Sequence, residues 1–246
     1  VPISAPISVE EPQPLPDSVL YYGTVKEWVK DENGAIKQLV LESERYGAYV
    51  MNISEDTVWI DSGRRTQSDP SDLKQGEGIY VFHSAVETRS LPPQTTAFAI
   101  VRNIPMDAGS AMYHEVESVS LQDGKLTITT DNGGLLMFAD SETQLLSYGT
   151  DAVPSLEDIQ PGSHVMAWYG AVAASYPGQA HANALMVLPK QETAKNSEKG
   201  SLLTRAGLVS ALHEKAGKPV VNYAMRYTDV NADSGYMAAV RWAVSE

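Results

Sequence analysis

The chain has 246 residues, enough for one large or two small domains at about 150 residues each. An apolar fraction of 43% can fill a core and excludes wholesale disorder, while 18 Lys and Arg against 31 Asp and Glu give a net charge of −13. That sign argues against a phosphate-backbone binder, so nucleic acid is not an expected partner. The absence of cysteine excludes disulfides, thiolate zinc sites and a cysteine nucleophile, and fits a bacterial protein exported without oxidative folding.

Residues 1–19 carry Pro2, Pro6, Pro12, Pro14 and Pro16. Proline fixes φ and removes a donor, so the stretch is predicted to be an extended spacer. It has neither the basic start nor the apolar middle of a signal peptide. No run of 18 apolar residues follows, so no membrane span is predicted.

Residues 20–105 and 112–189 read as two copies of one β module. Tyr22 to Val25 matches Tyr113 to Val116, and Asp31-Glu-Asn-Gly34 matches Asp123-Gly124. Met51 to Thr57 matches Met137 to Thr143, and Asp72 to Gly76 matches Asp158 to Gly162. Ser90-Leu-Pro-Pro-Gln94 matches Ser175-Tyr-Pro-Gly-Gln179. Features in the same order with small gaps indicate an internal duplication. In the first copy, strands are predicted over 23–30, 35–42, 48–60, 78–86 and 95–103, rich in β-branched and aromatic residues. Asn33-Gly34 marks a hairpin, and Asp69 is placed to cap a short helical turn at 70–73. Three strands, a helical turn and two strands match the order of a five-stranded OB-type barrel; a split sandwich with that order is the alternative. The fold class is therefore mainly β: two tandem OB-like modules, a polar linker at 190–200, and a helical C-terminal segment.

In that segment, residues 201–246, Leu202, Leu203, Ala206, Val209, Leu212 and Ala216 recur at helical spacing, and Gly217 with Pro219 stops the helix. A second helix is expected over 236–244. Leu203-Thr204-Arg205-Ala206, Ala216-Gly217-Lys218-Pro219, Thr228-Asp229-Val230, Tyr236 and Ala239-Val240-Arg241-Trp242-Ala243 resemble a bacterial S-layer homology module, here incomplete. Gly207 stands where that family's motif has glutamate. The resemblance implies attachment to the Gram-positive cell wall through secondary wall polysaccharide, with Thr204 and Arg205 as binding residues. An arginine fork suits the carboxylates of an anionic glycan.

Within the β modules the loop joining the last two strands of the first copy stands out. Arg89, Ser90, Pro92, Pro93 and Gln94 are its candidate binding residues, because two prolines stiffen an exposed loop and reduce the entropy lost on recognition. Its counterpart, Tyr176-Pro177-Gly178, is expected to be looser because of the glycine. Tyr80, Phe82, Trp168 and Tyr169 could stack sugars or bases, but read first as core.

The remaining signals are weaker. His83, His114, His164, His181 and His213 form no H-E-x-x-H motif, and no acidic residue is evidently poised beside them, so no metal site is assigned. Asp229, Asn231 and Asp233 open like a calcium loop, but Ser234 and Val240 stand where glycine and glutamate are needed. No nucleophile elbow, paired-acid motif or Gly-rich phosphate loop is present, and no cofactor is expected. The sequence therefore reads as a non-catalytic, extracellular, wall-associated protein whose β modules bind a protein or glycan ligand or act as spacers. The alternatives are a wall-glycan hydrolase with its site between the barrels and a protein-binding or inhibitory module that uses residues 88–95.

Overall fold

The computed structural model describes residues 16, 18–106, 109–189 and 213. The chain divides into two compact units, residues 1–191 and 192–246, so both β modules share one unit. The helices expected over 201–246 lie outside the described residues, apart from His213, which is helical and buried.

In the first module β1 (Val19–Lys30), β2 (Ile36–Ser43), β3 (Gly47–Asn52), β6 (Gly78–Glu87) and β7 (Gln94–Arg102) form one sheet in the order β3-β2-β1-β6-β7. Parallel pairing of Val50 with Gln94 and Met51 with Thr95 closes it into a barrel. That is the OB order, and it excludes the split sandwich. The Asp31–Gly34 turn is where the sequence puts it: Asp31 Oδ1 accepts from Asn33 N and Ala35 N at 2.9 and 3.0 Å, and Gly34 takes φ +83°.

The strand expected over 48–60 is two strands. Between β3 and β4 (Val58–Asp61) the buried Thr57 hydroxyl accepts from Ser54 N at 3.0 Å and donates to Ala97 O at 2.8 Å. The hydroxyl thus fixes a turn inside an apolar-looking run. A two-residue β5 (Thr66–Gln67) follows. Asp69 caps the 3₁₀ turn Pro70–Asp72 through Ser71 N at 2.8 Å, as predicted.

The second module repeats this order as a half-barrel: β8 (Met112–Glu115), β9 (Ser118–Gln122), β10 (Lys125–Thr130), β11 (Leu135–Ala139), β12 (Gln144–Ser147), a 3₁₀ turn Leu156–Asp158, β13 (His164–Tyr169) and β14 (Gly178–Val187). Its sheet runs β8-β13-β14-β11-β10-β9, with β11 and β12 each parallel to β14. β8 and β9 together correspond to β1. Val25 N donates to Glu77 O and Gly76 N to Val25 O, and the same pair of bonds joins Val116 to Ser163 and Gly162. At this point β1 shifts register, whereas the second copy breaks into two strands.

Three apolar clusters hold the unit together. Val25, Leu39, Leu41, Met51, Ile79 and Ile100 fill the first barrel; Val116, Leu126, Ile128, Met137, Val165 and Leu185 fill the second module. The third lies between the modules and uses corresponding positions of the two copies. Phe82, Ala99 and Val101 share it with Trp168, Ala184 and Met186. Trp168 Nε1 donates to Ser62 O at 3.0 Å across this contact. Period-2 alternation explains both interiors, because Ile79 and Val81 face inward while Tyr80 and Phe82 face the other module.

Candidate functional site

The loop between β6 and β7 is held by its own polar groups. Thr88 N donates to Gln94 O at 2.9 Å, Gln94 N to Thr88 Oγ1 at 3.0 Å, and Ser90 Oγ to Pro92 O at 2.8 Å. The Thr88 and Ser90 hydroxyls are 2.7 Å apart. Pro93 O accepts from Val50 N at 2.9 Å, which fastens the loop to β3. Thr88 to Pro92 are exposed, with Leu91 97% exposed, while Pro93 and Gln94 are half-buried. Arg89, Ser90 and Leu91 therefore stand in solvent on a fixed backbone.

The barrel brings a second segment beside this loop, one that sequence reasoning missed. Because β3 runs parallel to β7, the β2–β3 turn lies next to the end of β6. Tyr49 donates from its hydroxyl to Glu87 Oε2 at 2.5 Å, and Tyr21 donates to Gly47 O at 2.6 Å. Ser43 Oγ accepts from Arg45 N and Tyr46 N, each at 3.3 Å, and the Arg45 guanidinium sits 5.2 Å over the Tyr46 ring. Tyr21 contacts both Tyr46 and Tyr49, and Tyr49 contacts His83. Burial, with the neighbouring Tyr49 and Glu42, pushes the Tyr21 phenol up to about 12. The hydrogen bond to Glu87 raises Tyr49, and burial lowers His83. The local clue was a cluster of tyrosines at 21, 46 and 49, but only parallel closure joins them to residues 87–94.

The corresponding loop of the second module shares part of this bonding, with Ala173 N donating to Gln179 O at 2.8 Å where Thr88 stands in the first. Ser175 Oγ donates to Pro177 O at 2.8 Å, and Tyr176 is 90% exposed in the place of Leu91. Both Leu91-Pro92 and Tyr176-Pro177 are cis. Gly178 is already in β14, its N–H bonded to Gly134 O at 2.8 Å, so its freedom is used by the sheet.

Of the aromatics considered for stacking, Phe82 and Trp168 are 3% and 2% exposed in the inter-module core. Tyr80 is half-buried against that core, and Tyr169 packs in the second module. Carboxylates do approach the histidines, contrary to expectation. His114 has Asp131 Oδ1 at 3.0 Å and the Tyr169 hydroxyl at 2.9 Å. His181 has Asp140 at 3.3 Å, and His164 has Glu115 at 3.8 Å. These partners come from different strands, beyond the reach of spacing arguments. Among the described residues no group of three or more His, Asp or Glu could hold a metal ion. Thr204, Arg205, Asp229, Asn231 and Asp233 lie outside the described residues.

No family model and no curated protein matches the chain. Similar solved structures include one described as "Structural mimicry for functional antagonism", at 9% identity and TM-score 0.24, covering 70% of this chain and 93% of that one. The Drosophila Unr fragment CSD456 is 13% identical with TM-score 0.22, covering 73% and 65%. A multidomain Streptococcus pneumoniae protein with nucleic acid binding domains is 11% identical with TM-score 0.19, covering 80% and 58%. Likenesses this weak carry no argument for a ligand. The exclusion of nucleic acid drawn from a net charge of −13 nevertheless does not stand. The physical reason is that net charge is a whole-chain sum, whereas binding follows the local field. No helix among the described residues is long and apolar enough to cross a membrane.

Proposed function

We propose that this is a non-catalytic, extracellular protein of the Gram-positive cell surface. Its paired β modules present a ligand-recognition surface, and residues 201–246, resembling an S-layer homology module, contribute attachment to wall polymer through Thr204 and Arg205. The observation that carries the binding role is the β6–β7 loop. Its backbone is fixed by internal hydrogen bonds while Arg89, Ser90 and Leu91 remain exposed, an arrangement that loses little entropy when a ligand docks. The wall assignment is supported by the sequence resemblance. The test is co-sedimentation of the full chain with purified Gram-positive walls that retain their secondary polymer. The chain is expected to pellet, and Arg205→Ala to reduce pelleting by about tenfold through loss of a charge-assisted fork. Equal pelleting of both, or of neither, overturns wall attachment.

A protein-recognition loop is the second reading, favoured by the exposure of Leu91 beside Arg89. It predicts inhibition of a trypsin-like peptidase by the full chain, abolished by Arg89→Ala. Absence of inhibition removes it.

A further inference from the structure

The first module carries a second concave surface, away from the β6–β7 loop. A groove of about 950 Å³ runs between the 3₁₀–β6 connection and the segment that leaves β7. Two tyrosines line it. Tyr22 and Tyr80 are register partners on β1 and β6, and their rings meet edge to face, 5.2 Å between centroids and 83° between planes. Tyr80 backs onto the inter-module core, while Tyr22 is 49% exposed. The Tyr22 ring lies over Gly78, where an added Cβ would meet its hydroxyl at 2.9 Å. The two rings thus form a fixed aromatic corner open to solvent.

The same groove is lined by polar groups already held in place. Asp61 Oδ1 accepts from Asn103 Nδ2 and from Arg64 N, each at 2.8 Å. Arg102 is clamped by Glu77 and Asp72. The charged lining residues are Asp61, Asp72 and Glu77 against Arg64, Lys74 and Arg102, three of each sign. A polyanion therefore meets no net attraction there. A purely apolar ligand would strip water from the donors and acceptors of this lining that still face solvent and return no hydrogen bond. An aromatic corner beside preorganised amide, carboxylate and guanidinium groups suits a ligand with apolar C–H faces and many neutral hydroxyls.

The second module provides an internal comparison. Tyr22 corresponds to Tyr113, which is 4% exposed and stacked on His164; Tyr80 corresponds to Met166, which is fully buried. That copy has spent these positions on the inter-module core, and the open corner belongs to the first module alone.

We propose that this groove binds a neutral oligosaccharide, with Tyr22 and Tyr80 against the sugar faces and Asn103 and Arg64 bonding its hydroxyls. The proposal rests on the reading of the β modules as ligand-binding, but on neither wall attachment nor the β6–β7 loop. The probes are chitotetraose, cellotetraose, maltotetraose and an octathymidylate, titrated calorimetrically against the full chain. Saturable binding of at least one neutral saccharide is expected. Tyr22→Ala should weaken it about tenfold, the scale of one lost stacking contact, with Tyr22→Phe staying within about threefold. Val153→Ser, at an exposed position of the second module, should leave it unchanged, which places the site in the first module. Because Tyr22 is half exposed, an unaltered melting temperature of Tyr22→Ala distinguishes lost contact from lost fold. Binding to none of the saccharides, or equal binding by Tyr22→Ala, overturns the proposal. A Tyr22-dependent preference for octathymidylate overturns it as well, in favour of base stacking. Wall co-sedimentation can succeed while these titrations fail, so the two readings fall separately.

Discussion

Arg102 shows how one side chain can tie a barrel end together. It is 7% exposed at the end of β7. Glu77 takes two of its hydrogen bonds, at 2.6 and 2.9 Å, and Ser68 Oγ, Asp69 O and Asp72 Oδ1 accept others at 3.1, 2.7 and 2.5 Å. Burial opposes its charge, and Glu77 and Asp72 more than offset that, so its pKa is raised. The pairings of Ala99 with Val58 and of Ala184 with Gln144 place Val187 at the corresponding position of the second module, where an apolar side chain stands in place of the cation. Arg102→Ala leaves Glu77 without its cation and is expected to lower the unfolding free energy by about 3 kcal/mol. The Asp72 side chain is 71% exposed, so Asp72→Asn should cost less than about 1 kcal/mol. Urea unfolding of both variants checks the order; equal losses contradict it.

His83 supplies the pH dependence at this scale. Burial lowers its folded pKa, partly opposed by Ser84 O and Glu87. A base with a depressed folded pKa contributes stability that is complete above the unfolded value, about 6.5. That contribution is lost as pH falls through the folded value. The melting temperature should therefore fall as pH drops below about 6.5, and His83→Gln should flatten that part of the profile. Asp31, Asp69, Asp140 and Asp158 are lowered chiefly by backbone hydrogen bonds, so their contribution is lost at lower pH, below the ordinary carboxylate range. An unchanged slope in His83→Gln would refute the assignment.

At the scale of elements, the two modules repeat one device. Thr57 Oγ1 donates to Ala97 O at 2.8 Å, and Thr143 Oγ1 donates to Ala182 O at the same distance. Each hydroxyl also accepts a backbone N–H three residues earlier, from Ser54 or Asp140. Thr57→Val and Thr143→Val keep the shape but leave buried backbone groups unpaired, so each should cost about 1–3 kcal/mol. Thermal unfolding of both variants is the check; a cost in only one module would mean the motif has different weight in the two. This element was legible as the match of Met51 to Thr57 with Met137 to Thr143, whereas the turn it makes was not. Val50, Met51, Val58, Trp59 and Ile60 read as one long strand because apolar content does not reveal a hydroxyl aimed at a distant carbonyl.

At the scale of the molecule, the inter-module core decides cooperativity. Phe82 and Trp168 occupy corresponding positions in the two copies and are buried in the same cluster. Burying such a side chain contributes about 1.5–3 kcal/mol, so several of them couple the modules strongly. The two modules should unfold in one calorimetric transition. Phe82→Asp buries an unpaired charge in that contact and is expected to split the transition in two. Two transitions in the unsubstituted chain, or one in the variant, would show that the modules are not coupled through this core.

What the sequence determined by itself was local and periodic: the order of features shared by the two copies, the Asp31–Gly34 turn, the Asp69 cap and the β-rich strand runs. These depend on near neighbours and on side-chain period, both of which are written along the chain. Only the tertiary structure decided which outward faces meet. Tyr22 and Tyr113 hold the same place in the two copies, yet one lines an open groove and the other is buried between modules. Likewise β3 meets the β6–β7 loop only through the parallel β3–β7 pairing, and Arg102 meets Asp72 and Glu77 only when the barrel closes. Long-range pairing sets those neighbours, and no periodicity in the sequence encodes it.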